Sequence, residues 1–211
     1  MIASISPANG RLEPAVGGVV PQAARPNKPG VQVQEATLAD AQTIADVGRQ
    51  VFEASFGHSV QAEDLAAYFS TSYTAEAFEK ELRDPTISTW IARDDDGGAG
   101  TGMLGFAQLC RGATDPCLEK RGEDRATLAQ LHRLYVDTNA HGRGIGTRLI
   151  ARAADTARAE GFRKLWLTVW EHNPGAQRLY ERQGFVKVDK TSFFVGQEEQ
   201  WDWVMIKELE Q

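Results

Sequence analysis

Cysteine is scarce in this 211-residue chain, with only Cys110 and Cys117 present. Two thiols build no disulfide framework, and no ligand spacing surrounds them, so a structural zinc site is not indicated either. Free thiols in a reducing compartment follow. A basic excess is missing too: 23 Lys and Arg stand against 29 Asp and Glu, a formal net charge of -6. Neutralising a nucleic-acid backbone takes a basic face, so nucleic acid is not the expected partner, and an acidic chain suits cationic small molecules better. No apolar run approaches the ~20 residues of a membrane span, and the N-terminus has neither the charged nor the apolar block of a signal peptide. The expectation is a soluble cytoplasmic protein with no membrane association and no resident metal.

Periodicity is missing from residues 1–30. That stretch is rich in Pro, Gly and Ala, with Arg11, Arg25 and Lys28 against a single acidic Glu13. It reads as a flexible or surface-wrapping tail, with an organellar presequence as the alternative reading. Residues 31–211 read as one domain, long enough to bury a good core.

Order begins at "VQVQEA", which alternates like a strand. Leu38 to Phe52 carries apolar residues at helical spacing after the capping candidate Thr37. Helical stretches around Asp64 to Phe69 and Ala75 to Arg83 come next. Two strands follow, "TISTWIAR" and "GMLGFAQLC", separated by the turn-rich "DDDGGAGT". Glu119 to Thr127 reads as a charged loop. A central strand, "LAQLHRLYV", leads into "HGRGIGTRLI". The helix after it carries Ile145, Leu149, Ile150, Ala153 and Ala157 on one face. "KLWLTVW" is nearly continuous in apolar residues, as buried strands are. A helix from Pro174 to Gln183 stops at Gly184, and "FVKVDKT" and "WDWVMIKEL" finish the chain as strands.

Three glycines in five residues, Gly142, Gly144 and Gly146, stand at the head of that central helix. Glycine permits positive φ and lets a ligand approach the backbone. The first helical turn adds unpaired N–H groups and the positive end of the macrodipole. Together they make an anion site. A Rossmann G-x-G-x-x-G fails in both registers, at Thr147 and at Leu149, and no Gly-Lys-Ser/Thr exists for a P-loop.

"HGRGIGTRLIARA", followed by "LTVWEHNPGAQRLYERQGF", resembles the acyl-coenzyme A binding core of the GNAT superfamily of N-acetyltransferases. The family turn is Gln/Arg-x-x-Gly-x-Gly/Ala, with His141 here at its first position, and imidazole can still donate a hydrogen bond. The resemblance implies an α/β fold with a mixed, mostly antiparallel central sheet, splayed at its middle strands and flanked by helices. It implies acetyl-CoA as co-substrate. The pyrophosphate would lie on His141, Gly142, Arg143, Gly144, Ile145, Gly146 and Thr147, and the pantetheine arm along Leu134, Tyr135 and Val136, with Asn173 contacting the arm. By the same resemblance the Leu134 N–H is the oxyanion donor and Tyr180 the acid at the sulfur, although Asn173 before Pro174 is also an ordinary helix cap and Tyr180 beside Leu179 an ordinary packing residue.

The base is open between His132, Glu171 and water. Strand alternation puts Gln130, His132 and Leu134 on one side, and of these His132 can take a proton. The wording of the later segments resembles the bacterial polyamine acetyltransferase subgroup. A polyamine site needs carboxylates and aromatic faces, for which Glu53, Glu63, Asp64, Trp170 and Glu171 are the candidates. The expected partner is a small-molecule amine, and a homodimer is compatible with the sequence. Two alternatives stay open: a peptide N-terminal or protein lysine acetyltransferase, and a non-catalytic acyl-CoA binder.

Overall fold

The computed structural model describes residues 30–57, 61–94, 102–195 and 198–210. The tail expected over residues 1–30, apart from Gly30, and most of the turn after Asp94 lie outside the described residues.

Strand β1 (Val31–Glu35) leads through a single 3-10 turn into α1 (Ala41–Phe56). Thr37 opens that turn as expected: its N–H donates to Asp40 Oδ2 at 2.8 Å, fixing the entry. Helices α2 (Ala62–Ser72) and α3 (Ala75–Arg83) follow. Then come β2 (Ile87–Asp94), β3 (Met103–Arg111), α4 (Pro116–Lys120) and β4 (Leu128–Val136). The chain closes with α5 (Ile145–Ala159), β5 (Lys164–Trp170), α6 (Pro174–Arg182), β6 (Val186–Val195) and β7 (Glu198–Glu208). The stretch read as a charged loop from Glu119 holds the end of α4 and a 3-10 turn at Arg125–Thr127. Helix α4 is only five residues long, and its start rests on Asp115 accepting from the Cys117 N–H at 2.9 Å, a cap that no hydrophobic period announces.

The seven strands lie in the order β1-β2-β3-β4-β5-β7-β6. Every neighbouring pair is antiparallel except β4 and β5, which run parallel and touch only over Leu128 to Gln130 and Lys164 to Trp166. Beyond those residues the two strands part. The sheet is mixed, mostly antiparallel and splayed at its centre, the architecture the sequence implied.

One face of the sheet carries Leu131, Leu134, Leu165, Leu167 and Val169 beneath α5 and α6. The other face carries Phe106, Tyr135 and Trp170 beneath α1 and α3, and Trp166, Val204 and Ile206 beneath α4. Trp166 and Trp170 share a parity on β5, so α1, α3 and α4 all cover this second face.

The expected grouping of Gln130, His132 and Leu134 on one side of β4 does not hold. Leu131 pairs with Leu109 and Arg133 with Gln108, which leaves His132 without a counterpart in β3. That is a β-bulge, and one extra residue exchanges the two faces of everything after it. Leu131 and Leu134, three apart, therefore share the α5 face, while Gln130 and Arg133 share the opposite one.

Candidate active site

The glycine turn has the conformation its composition suggests. Gly142 and Gly144 both have φ of 76°, in the left-handed region, and a Cβ at either would meet nothing within 4 Å. Glycine is required there by backbone conformation, with open space beside it. Gly144 caps α5, and the first intrahelical bond runs from the Arg148 N–H to the Gly144 carbonyl at 3.1 Å. The N–H groups of Ile145, Gly146 and Thr147 precede that bond and have no intrahelical acceptor. An anionic pyrophosphate fits this cradle. Two side chains near it are committed elsewhere: Arg143 to Asp94 at the end of β2, and His141 Nε2 to the Val136 carbonyl at 3.3 Å.

The same His141 contact reports how β4 faces the gap. The Asp137 N–H bonds to Leu104 on β3 at 2.9 Å. Antiparallel alternation then directs the backbone of Tyr135 and Arg133 toward β3, and that of Val136 and Leu134 away from it, to the side that β5 has left. The Val136 carbonyl accepts from His141 on that side. The Leu134 N–H points into the same gap.

Across the gap, α6 is anchored by Asn173, whose Oδ1 accepts from the Ala176 N–H at 3.0 Å. The cap reading of Asn173 is thus realised in the fold. Buried Gln177 donates to the carbonyls of Trp170 and Glu171 at 3.0 and 2.9 Å, tying α6 to the end of β5. Tyr180 follows three residues later, fully buried against Phe185, and its hydroxyl has no hydrogen-bond partner. Burial, then the neighbouring Tyr135 and Asp202, raise its pKa well above the ordinary phenol range. A buried hydroxyl without a partner is costly, and here it stands where the strands part.

The remaining sequence candidates fall in different places. His132 is buried on the bulge with Nδ1 unpartnered, and burial together with Arg133 pushes its pKa down to about 3. Glu171 is paired with Lys190 at 2.7 Å. Trp170 is buried, and its indole N–H donates to Gln200 at 2.9 Å. Glu53 and Glu63 are exposed on α1 and α2, with Asp64 half-buried beside the latter. Both thiols are free and burial raises their pKa values, to about 11 for Cys110 and about 12 for Cys117, so neither is poised as a nucleophile.

Sequence reasoning missed Asp202. It is 1% exposed on β7, and desolvation raises its pKa to about 7. Its position in "WDWVMI" shares the parity of Val204 and Ile206, an apolar face, so a carboxylate at a core position was the available signal. Near it lies a cavity of about 250 Å³ on the sheet face opposite α5, lined by Thr114, Gln130, Trp166, Thr168, Thr191 and Phe193, among others. The Trp166 indole N–H and the Thr114 hydroxyl are buried there without partners.

Comparison with known proteins agrees with this geometry. An uncharacterized N-acetyltransferase of Mycobacterium tuberculosis, Rv2669, is 28% identical over 172 residues, 82% of this chain and 99% of its own. Among solved structures, Arabidopsis thaliana NAA60 in complex with acetyl-CoA superposes with a TM-score of 0.66 at 18% identity, over 85% of this chain and 99% of that one. The spermidine/spermine N-acetyltransferase SpeG of Vibrio cholerae gives 0.57 at 19% identity, over 85% and 94%. These likenesses at low identity carry the fold. The family model described as Acetyltransferase (GNAT) family matches residues 54–185, more than half of the sequence. The chain therefore belongs to the GNAT acetyltransferase family, whose co-substrate is acetyl-CoA.

Proposed function

We propose that this protein transfers an acetyl group from acetyl-CoA directly to the primary amine of a small molecule, with polyamines as the first acceptor class to test. The observation that carries the reading is the fully buried Tyr180 hydroxyl, left without a partner beside the gap between β4 and β5. A pure binder has no use for an acid at that point.

Acetyl-CoA supplies an activated acyl group. The N–H groups of Ile145 to Thr147 hold its pyrophosphate, and the Leu134 N–H stabilises the negative charge that develops on the carbonyl oxygen. One preorganised donor of this kind contributes on the order of 3 kcal/mol. Tyr180 gives its proton to the departing sulfur. No covalent enzyme intermediate is needed, since the amine itself is the nucleophile and both thiols are held protonated. The polyamine preference rests on the subgroup resemblance and on the SpeG likeness, and NAA60 shares the same fold.

The test is release of free CoA thiol from acetyl-CoA with spermidine, spermine, small monoamines, amino acids and free-N-terminus peptides. Turnover with polyamines supports the full reading. Turnover with peptides alone keeps acetyl transfer and overturns the substrate class, and binding of acetyl-CoA without turnover of any amine overturns the enzyme reading.

A further inference from the structure

An ammonium must lose a proton before its nitrogen can attack a thioester. The two carboxyl and imidazole groups first considered for this are poorly disposed. Glu171 is held by Lys190, and His132 is buried on the bulge without lining the cavity.

Asp202 is disposed differently. On β7 it stands directly opposite Trp170 of β5 and Thr191 of β6. Thr168 is its diagonal neighbour on the same face, one pair along from Trp170, and its hydroxyl is hydrogen-bonded to the Asp202 carboxylate. Thr168 and Thr191 both line the 250 Å³ cavity, so the carboxylate lies directly behind a wall made of two hydroxyl-bearing residues. Its Oδ1 is buried with no partner. Tyr180 lies near enough for the Asp202 charge to be felt at the phenol. Among the described residues, the charged and titratable groups near Asp202 and the cavity are Glu171 from the end of β5, with Lys190 of β6 as its counter-ion, Tyr180 from α6 beyond the other face of the sheet, and Asp115 at the start of α4, which lines the cavity itself.

We propose that the cavity lined by Thr168 receives the acceptor ammonium, and that Asp202, acting through the Thr168 hydroxyl as a positioning and proton-accepting residue, takes the proton that frees the amine. This rests on the acetyl-transfer reading above. The Thr168 oxygen accepts an N–H from the ammonium while its own proton moves to Asp202. The freed nitrogen lone pair forms the C–N bond and the C–S bond breaks. Sulfur takes the Tyr180 proton, and the second proton lost by nitrogen restores the phenol. Asp202 then releases its proton to solvent as product leaves, so one ammonium and one thioester give one amide, one thiol and one proton. Burial already holds this carboxyl near the pH at which a base is most effective.

The experiment measures kcat against pH for wild type, Asp202→Asn, Thr168→Val and Thr168→Ser, with spermidine, benzylamine and a free-N-terminus tetrapeptide as acceptors, and acetyl-CoA affinity by calorimetry. In the wild type, log kcat should rise with pH and level off near 7. Asp202→Asn should lower kcat at pH 7 by ~10²-fold and move the plateau at least ~2 pH units toward the ammonium's own pKa, with acetyl-CoA affinity unchanged. Thr168→Val should shift the plateau in the same direction, and Thr168→Ser should restore it. Asn is isosteric with Asp and removes a buried charge, so the variant is expected to fold, and its melting temperature verifies this. An Asp202→Asn enzyme that keeps the wild-type plateau overturns the role of Asp202 alone. A wild type inert toward every acceptor overturns the acetyl-transfer reading and this inference together.

Discussion

Buried polar groups lie on both sides of β4, and two clusters of them are treated in opposite ways. On the β3 side, the Arg133 guanidinium bonds Glu81 at 2.5 Å and Gln108 at 2.6 Å and lies 5.1 Å from the Phe78 ring centroid. Tyr73 and Tyr135 join hydroxyls at 2.6 Å. On the β5 side, Tyr180, Trp166 and Asp202 each leave a buried polar atom unmatched. Matched groups specify a packing, whereas unmatched ones cost stability and persist where a ligand completes them.

The largest effect expected from this contrast is on the matched side. Glu81→Ala leaves a guanidinium buried without its carboxylate and should cost about 3–5 kcal/mol in denaturant unfolding. A loss under about 1 kcal/mol would place this network with surface pairs and remove the contrast. Tyr180→Phe tests the other side. It should lower kcat by ~10²-fold, about 2.7 kcal/mol of barrier, while leaving unfolding free energy within ~0.5 kcal/mol. A variant that loses stability and keeps its rate would make Tyr180 a packing residue.

Titration separates two of the unmatched groups by sign. His132 has a folded pKa of about 3, below its ordinary value, so the unfolded chain takes the proton first. Its contribution to stability is lost as pH falls from about 6.5 toward 3, on the order of 1–2 kcal/mol by pH 5, and His132→Asn should flatten that slope. Asp202 has its folded pKa raised to about 7. Its contribution is complete below about pH 4 and is lost as pH rises through 7, so Asp202→Asn should gain stability at pH 8 relative to pH 4. Melting temperatures at pH 4, 5 and 8 check both.

The smallest effect is a matched pair of glycines. Gly144 and Gly161 both have left-handed φ and open space around them. Alanine at either should cost about 1 kcal/mol of stability. Only Gly144→Ala should weaken acetyl-CoA binding in calorimetry, because Gly161 lies at the far end of α5.

Much of this was legible in the sequence, and the reasons differ by element. The glycine turn and the Pro174–Arg182 helix are local: caps, stops and positive-φ positions lie within a few residues of what they control. The strands carried their own alternation, and their order followed from resemblance. The bulge at His132 was not legible, because it is defined by which residues of β3 oppose β4, a relation between segments more than twenty residues apart. Helix α4 escaped for its brevity. Asp202 was visible as a misplaced charge, but its neighbours Thr168 and Thr191 come from two other strands and only pairing brings them together.

The extra residue in β4 also makes the strand a message read in two phases. Before His132 one parity belongs to α5, and after it the other does. Deleting that single residue would make Leu131 and Arg133 neighbours in one regular strand, with Leu109 and Gln108 still opposite them, so that Arg133 keeps the face of the aromatic cluster and Leu134 stays under α5. Deleting a residue on either side of it would instead set one half of the strand against the other, turning Arg133 toward the apolar underside of α5 and Leu134 toward the aromatic cluster of α1. The bulge is therefore the point in β4 where a change of length by one residue leaves both faces in place, and what its loss would remove is the local bend and added twist it gives the strand.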